Sequence, residues 1–231
     1  MAQAAAGTIV LAEKAYLHVK GLLLEGDHRP GDWLPIDEIA ANLKISRQPV
    51  MDAIRRLAAE GFVDIVPQVG SRVRQSSEDE IRDFFRLFAA GEALIAELAA
   101  TRASSSDVTN LRLLSNQIGE LQNLKLDDAE RGRLYRTMNR RLHSELRRII
   151  QSPALAEIVE GLGDRSDFYI ASASTPVFAP NLHQAHAEHE AVIKAIANSW
   201  PDLARQAMEE HIHATEGRLL HNIEPPKSEQ P

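Results

Sequence analysis

Three histidines and an asparagine are the residues best suited to chemistry in this chain: Asn139, His143, His189 and His211. Asn139 and His143 are four positions apart, which stacks them on one helix face. His189 and His211 each fall in a further segment with helical periodicity. Imidazole nitrogens suit zinc, nickel and related borderline ions. Three imidazoles and an amide carbonyl from three helices could therefore close on one divalent metal, zinc first. Four protein ligands on a six-coordinate ion would leave two positions open, enough for a carboxylate-bearing metabolite. Each ligating imidazole needs an acceptor on its other nitrogen to fix the tautomer, and Glu145, Glu188 and Glu210 are near in sequence. A lone histidine on an apolar helix face is more often a hydrogen-bonded core residue. His18, His28, His183, His186, His213 and His221 are assigned to that class or to the surface.

A second group of chemically suited residues lies far upstream, within 33–74. Arg47 and Gln48 open a helical segment after Ser46, with Pro49 in its first turn, where proline costs little. Arginine can read guanine with two hydrogen bonds, and glutamine can read adenine. The Ser46 hydroxyl and the free helix N-terminus suit a phosphate. Arg55, Arg56, Arg72 and Arg74 could meet the nucleic-acid backbone, and Gly70 would let a loop approach a minor groove.

The elements that must carry these residues follow from periodicity. Ala12, Tyr16, Val19 and Leu23 predict a helix over 8–25, with Thr8 as a possible cap. A turn at 28–32 leads to a short helix over 37–43 and a brief turn at 44–45. The helix opened by Ser46 has Val50, Ile54 and Leu57 on its apolar face and stops at Gly61. Two short strands, 62–66 and 71–73, flank the turn 67–70. Short helix, tight turn, longer helix and hairpin are the order of a winged helix-turn-helix, assigned to 8–75. After a linker at 75–77 the pattern is helical, with helices over 78–102, 106–123, 127–150, 153–172, 182–198 and 200–222. The loop 172–181 is the one long break, and the polar tail 224–231 is expected to be disordered. The fold class is mainly α: the winged domain, then an all-helical bundle of about six helices over 78–222.

Bulk properties narrow the function classes. The chain has 231 residues and no cysteine, which excludes disulfides, thiolate zinc sites and cysteine nucleophiles. Nothing resembles a signal peptide or a membrane span, so a soluble cytoplasmic protein is expected. The net charge is −7. Residues 1–75 carry nine basic and nine acidic side chains, so the acidic excess falls in 76–231. A neutral N-terminal part still binds DNA if its arginines share a face.

The stretch PGDWLPIDEIAANLKISRQPVMDAIRRLAAEGFVDIVPQVGSRV resembles the DNA-binding domain of GntR-family regulators. Met51 and Asp37 stand where that family often has arginine, so its operator sequences do not transfer. Residues 78–222 resemble the FCD domain of the FadR branch. Asn139 and His143 match a D-x-x-F-H pattern, Glu188-His189 an E-H-x-x-I pattern, and His211 an A-M-x-x-H pattern. Six helices suggest the shorter, VanR-like subgroup. The resemblance implies that the acidic residue and three histidines bind one divalent metal. Asn139 replaces that aspartate and brings no charge, so metal affinity should fall and attraction for an anion should rise. Arg86, Tyr135, Arg140, Arg165 and Tyr169 are candidate effector contacts. Phe88 replaces a frequent arginine and either lines the pocket, favouring a flat ligand, or packs in the core.

The expected protein is not an enzyme but a homodimeric, ligand-responsive transcription regulator. It would be a repressor released from palindromic operator DNA by a carboxylate metabolite, aromatic acids included, bound at the metal. Two alternatives use the same imidazoles. The ion itself could be the signal, or the trio could activate water as a metalloenzyme. The second lacks a well-placed general base and leaves the DNA reader unexplained.

Overall fold

The computed structural model describes residues 2–175 and 177–222, so the polar tail at 224–231 lies outside the described residues. The chain divides into two compact units, Met1–Ser77 and Glu78–Pro231. It is mainly helical, a winged helix-turn-helix followed by a helical domain.

The first unit contains α1 (Ala2–Glu25), α2 (Ile36–Leu43), α3 (Arg47–Ala59), β1 (Val63–Val66) and β2 (Gly70–Val73). Helix α1 begins upstream of the expected position, so Thr8 is inside it rather than at its start. The α1 face formed by Tyr16, Val19 and Leu23 is buried, as are Val50, Ile54 and Leu57 of α3. These two faces pack against each other, which is the reason for their shared 3–4 periodicity. Between α2 and α3 the chain turns through Lys44 in the left-handed conformation. Ser46 occupies the position before α3, but its side chain makes no capping bond and is left free at the helix start.

The exit from α3 is tightly specified. Gly61 has φ +76, its N–H bonds Ala58 O at 3.0 Å, and the Phe62 N–H bonds Leu57 O at 2.9 Å. This is a Schellman closure, with the buried Phe62 and Leu57 as its apolar partners. The chain is thereby aimed into the hairpin, whose register pairs Val63 with Val73 and Val66 with Gly70. Residues 31–34 run along the outside of β2, through Leu34 N to Ser71 O at 2.8 Å and Val73 N to Asp32 O at 2.9 Å.

The second unit contains α4 (Glu78–Arg102), α5 (Ser105–Glu120), α6 (Asp128–Ile149), α7 (Pro153–Ala171), α8 (Leu182–Ala197) and α9 (Pro201–His221). A 3-10 turn at Ala179–Asn181 interrupts the long loop before α8. Helix α4 is the hub, packed along α9 and also touching α6, α7 and α8. Its buried stripe includes Ala89, Ala93, Ala96 and Ala99, and α9 meets it with Ala204 and Met208. Small side chains let two helix axes approach closely. Helix α5 starts with a capping box in which Ser104 and Asp107 bond each other's backbone N–H. The Ser104 hydrogen bonds, aided by Arg148 of α6, lower the Asp107 carboxyl to about 2. Asp127 caps α6 by accepting from Glu130 N at 2.8 Å.

Gly61→Ala tests the α3 exit. An L side chain in the left-handed region is expected to cost about 1 kcal/mol. The measurement is the urea midpoint of the first unit, followed by Trp33 fluorescence in a Trp200→Phe background.

Candidate metal centre and nucleic-acid interface

Helices α6, α8 and α9 each bring one imidazole to the same place. His143, His189 and His211 are all buried, and one ring nitrogen from each lies within 4.8 Å of the others. Ring centroids are 5.7 Å apart for His143 with His189 and with His211, and 4.4 Å for His189 with His211. Among the described residues, neither nitrogen of His189 or of His143 has a hydrogen-bond partner, and neither has the buried Asn139 Oδ1. Each unmade buried hydrogen bond costs about 1–3 kcal/mol. Ordinary core histidines do not gather in this way with their lone pairs facing one another. A divalent cation would satisfy the three ring lone pairs together, and the unpartnered Asn139 oxygen belongs to the same face of α6 as His143, so the residues present fit such a group.

Burial favours the neutral, ligating form of His189 and His211. His211 Nδ1 is 2.9 Å from Glu188 Oε2 and donates to it, which leaves Nε2 as the free lone pair. Arg218 holds the other oxygen of Glu188. His143 Nδ1 lies 3.1 Å from Glu92 Oε2 but off the line of a hydrogen bond. Arg147 donates to Glu92 Oε1 at 2.9 Å. Burial lowers the pKa of His189 well below its ordinary 6.5, and charge on the other histidines pushes the same way. Burial also lowers His211, partly offset by Glu188. Burial alone would raise Glu92, but His143 and Arg147 outweigh it and hold the carboxyl down. Of the acceptors named from sequence, only Glu188 serves a histidine of the trio. Glu145 bonds Arg148, and Glu210 bonds Gln206.

A cavity of about 600 Å³ opens beside the cluster, with Asn139, His143 and His211 on its wall. Arg140, Arg147 and Asp167 also line it. Asp167 of α7 is buried, and burial raises its carboxyl to about 6 against the opposing pull of Arg140. Phe88 meets both expectations at once. It is buried, stacks on Phe84 at 5.9 Å, and borders the cavity.

The candidate effector contacts separate into two groups. Arg140 is on the cavity wall, 3.6 Å from Asp167. Tyr135 does not line the cavity; it is fully buried, 4.4 Å from Phe178 and 6.5 Å from His189, with its hydroxyl unpartnered among the described residues. The other three are not on that wall either. Arg86 is exposed beside Asp83, because its position on α4 faces away from the hub contacts. Arg165 donates to the Tyr169 hydroxyl at 3.3 Å, and Tyr169 packs edge-on to Phe84 at 5.1 Å. The structure therefore gives Arg86, Arg165 and Tyr169 surface and packing roles. Glu92, Arg147, Asp167 and Arg218 complete the surroundings, and sequence reading had not placed them there. Arg147 had a signal, since Tyr135, Asn139, His143 and Arg147 recur every four residues on α6.

On the first unit, Arg47, Gln48 and Arg55 are exposed along one side of α3. Each is held by a carboxylate. Arg47 NH1 bonds Asp37 at 3.0 Å, Gln48 bonds Asp52 at 3.0 Å, and Arg55 bonds the same Asp52. Arg56 is turned elsewhere. Its guanidinium lies 3.5 Å from the Tyr16 ring centroid and pairs with Glu13 at 2.7 Å, so it fastens α3 to α1 instead of standing free for a phosphate. Gly70 is also reassigned. A Cβ there would come 3.3 Å from the Trp33 ring, so the glycine admits an indole rather than forming the hairpin tip. The tip is formed by 67–69, with Gln68 at φ +63 and Val69 67% exposed. Arg72 stands opposite Asp64 in the hairpin, 4.0 Å from its carboxylate.

Comparison with known proteins matches each of the two units to a known family. Residues 11–73 match the bacterial regulatory proteins of the gntR family, and residues 83–214 match the FCD domain. The chain is 28% identical over 180 residues to a probable D-xylose utilization operon transcriptional repressor of Paenarthrobacter nicotinovorans, covering 77% of this chain and 74% of that one. It is 26% identical over 219 residues to the Exu regulon transcriptional regulator of Escherichia coli K12, covering 87% and 81%. Both relatives are transcriptional regulators rather than enzymes. The fold is shared with the solved structure of E. coli McbR/YncC, with a TM-score of 0.75 at 19% identity, covering 91% of this chain and 97% of that one.

The buried imidazoles predict a stability that depends on pH. The folded values of His189 and His211 lie below 6.5, so just below that pH the unfolded chain binds more protons than the folded one. Their stabilisation is complete above the unfolded pKa and is lost as pH falls through the folded values. Asp167 has the opposite sign, since its folded value of about 6 exceeds the ordinary 3.8, and its contribution is lost as pH rises through about 6. Two histidines outweigh one carboxylate near neutrality. The melting temperature of the metal-free protein should therefore fall from about pH 7.5 to about pH 6. Added Zn²⁺ should raise it more at the higher pH, because protons compete for the same lone pairs. Thermal shift in both conditions is the check.

Proposed function

Because this chain belongs to the gntR family of bacterial regulatory proteins and carries an FCD domain, we propose that it is a homodimeric repressor whose operator binding is controlled by a small carboxylate at a divalent metal centre. The observation that carries the reading is the cluster of three buried imidazoles, two of them without a hydrogen-bond partner among the described residues, beside a cavity that also presents Arg140 and Arg147. His143, His189, His211 and the Asn139 carbonyl would hold the ion, zinc by preference for this donor set. When bound, the ion supplies a Lewis-acidic point for a carboxylate oxygen. Arg140 and Arg147 add positive charge on the same wall, and Phe88 gives that wall a flat apolar stretch.

At the other end of the chain, Ser46 and the N-terminus of α3 would take a phosphate, and Arg47 and Gln48 would read base edges. Arg55 and Arg72 would meet the backbone. The Asp37 pair with Arg47 is exposed, and such pairs are worth about 0–1 kcal/mol, so a guanine or a phosphate can replace it. A dimer would place two such helices on the half-sites of a palindromic operator. Open space beside the imidazoles favours a metabolite, rather than the ion alone, as the signal. The operon and regulon control named for the relatives supports a metabolite-linked role.

Operator binding by the full-length protein tests both ends. Arg47→Ala is expected to weaken it by about 1–3 kcal/mol and to relax selectivity at one base, while Arg55→Ala weakens all sequences alike and lowers the salt slope by about one. Fluorescence anisotropy at several salt concentrations reads both. A carboxylate that releases DNA must bind more weakly to the protein–operator complex by the same factor. His189→Ala should abolish Zn²⁺ binding and that release while leaving operator binding in place. Release that persists in metal-free protein would remove the metal from the reading.

A further inference from the structure

We infer that Asp167, presented by α7, is the acidic group of the divalent-cation site and supplies the negative charge that the neutral Asn139 does not. This rests on the metal reading above and deepens it.

The charge balance around the imidazoles singles out this residue. Three neutral rings and an amide would face a doubly charged ion without an anion among them. Two carboxylates stand beside the rings and a third, Asp167, borders the same cavity. Glu92 has Arg147 at 2.9 Å on one oxygen and His143 at 3.1 Å from the other, and Glu188 has Arg218 and His211, so each already stands between an arginine and a ring. Asp167 is different. Its residue is only 6% exposed, yet its arginine, Arg140, stands at 3.6 Å, beyond hydrogen-bond reach, with a side chain 40% exposed. Asp164 adds a like charge from its own helix. An ionised carboxylate is costly to bury unless a cation faces it.

Its placement relative to α6 points to the cation. The α6 groups that act on Asp167 are Arg136, Arg140 and His143. They are spaced four and three residues apart, and Asn139 falls on the same turn between them. Asp167, Asn139, His143 and His211 all border one cavity. The carboxylate lies outside the group of ring nitrogens gathered within 4.8 Å. Its part is therefore to balance charge from the cavity wall and to accept a hydrogen bond from whatever fills the positions the imidazoles leave open. Partners that stand behind or beside a metal's direct ligands strongly affect its affinity.

The test is Zn²⁺ affinity of the full-length protein, measured by competition with a chromophoric chelator. Asp167→Asn, nearly isosteric, should weaken binding about 10- to 100-fold. Added to that variant, Asn139→Asp should restore affinity to within about threefold of wild type, because each carboxylate serves the same charge. Circular dichroism checks that each variant folds. Unchanged Zn²⁺ affinity in Asp167→Asn, with affinity lost in His189→Ala, overturns the role of Asp167 and leaves the metal reading standing. A wild-type protein that binds no Zn²⁺ overturns both. Should Asp167→Asn not fold, Asp167→Ser decides, with the same loss of about 10- to 100-fold expected, and unchanged Zn²⁺ affinity in it overturns the inference.

Discussion

Three imidazoles are buried against one another, both nitrogens of His143 and of His189 lack a hydrogen-bond partner among the described residues, and the second unit is arranged around the consequences. Each ring arrives on a different helix, α6, α8 or α9, and a fourth helix, α4, supplies Glu92 from the middle of its buried face. Those carboxylates that touch a ring are themselves touched by an arginine, Glu92 by Arg147 and Glu188 by Arg218. The arrangement does little for stability, because partnerless buried nitrogens oppose folding. Stability comes from the apolar contacts of α4 with α9, where alanines allow close approach. The apolar core thus holds a polar cluster in a geometry it would not adopt unaided, as expected of a binding site and not of a structural core.

Charge in the first unit follows a similar economy. As many acidic as basic groups are present there, and the exposed side of α3 shows why this is compatible with a DNA reader. Asp37 and Asp52 hold Arg47, Gln48 and Arg55 in place through solvent-exposed contacts. Such contacts are weak in water and screened by salt, so phosphates can displace them. Arg56 shows the contrast. Stacked on Tyr16 and paired with Glu13, it contributes to the α1–α3 contact and is not available at the same cost.

The helical plan was largely legible because amphipathic periodicity is a local property. All six helices of 78–222 and the helix–turn–helix–hairpin order of the first unit follow from spacing alone, with ends shifted by a few residues. The Gly61 exit was legible too, since few residues other than glycine tolerate φ +76. Less readable were roles that depend on direction. Gly70 carries the signature of a turn, but the Trp33 ring explains it. Arg56 carries the signature of a phosphate contact, but Tyr16 and Glu13 of α1 capture it. Arg86, Arg165 and Tyr169 sat on plausible helices and face the wrong way, because a few tens of degrees of helix rotation decide what a side chain meets.

Sequence by itself determined the fold class, the two-part organisation and the residue types that could form a metal centre, since composition and spacing are properties of the chain. It could also pair Asn139 with His143, four residues apart on one helix. Tertiary structure alone decided that Glu92 and Glu188 back the rings, and that Asp167 lines the same cavity as Asn139. Those relations link helices separated by tens of residues. They depend on crossing angles and helix rotations set by packing over the whole bundle, and no local pattern records them.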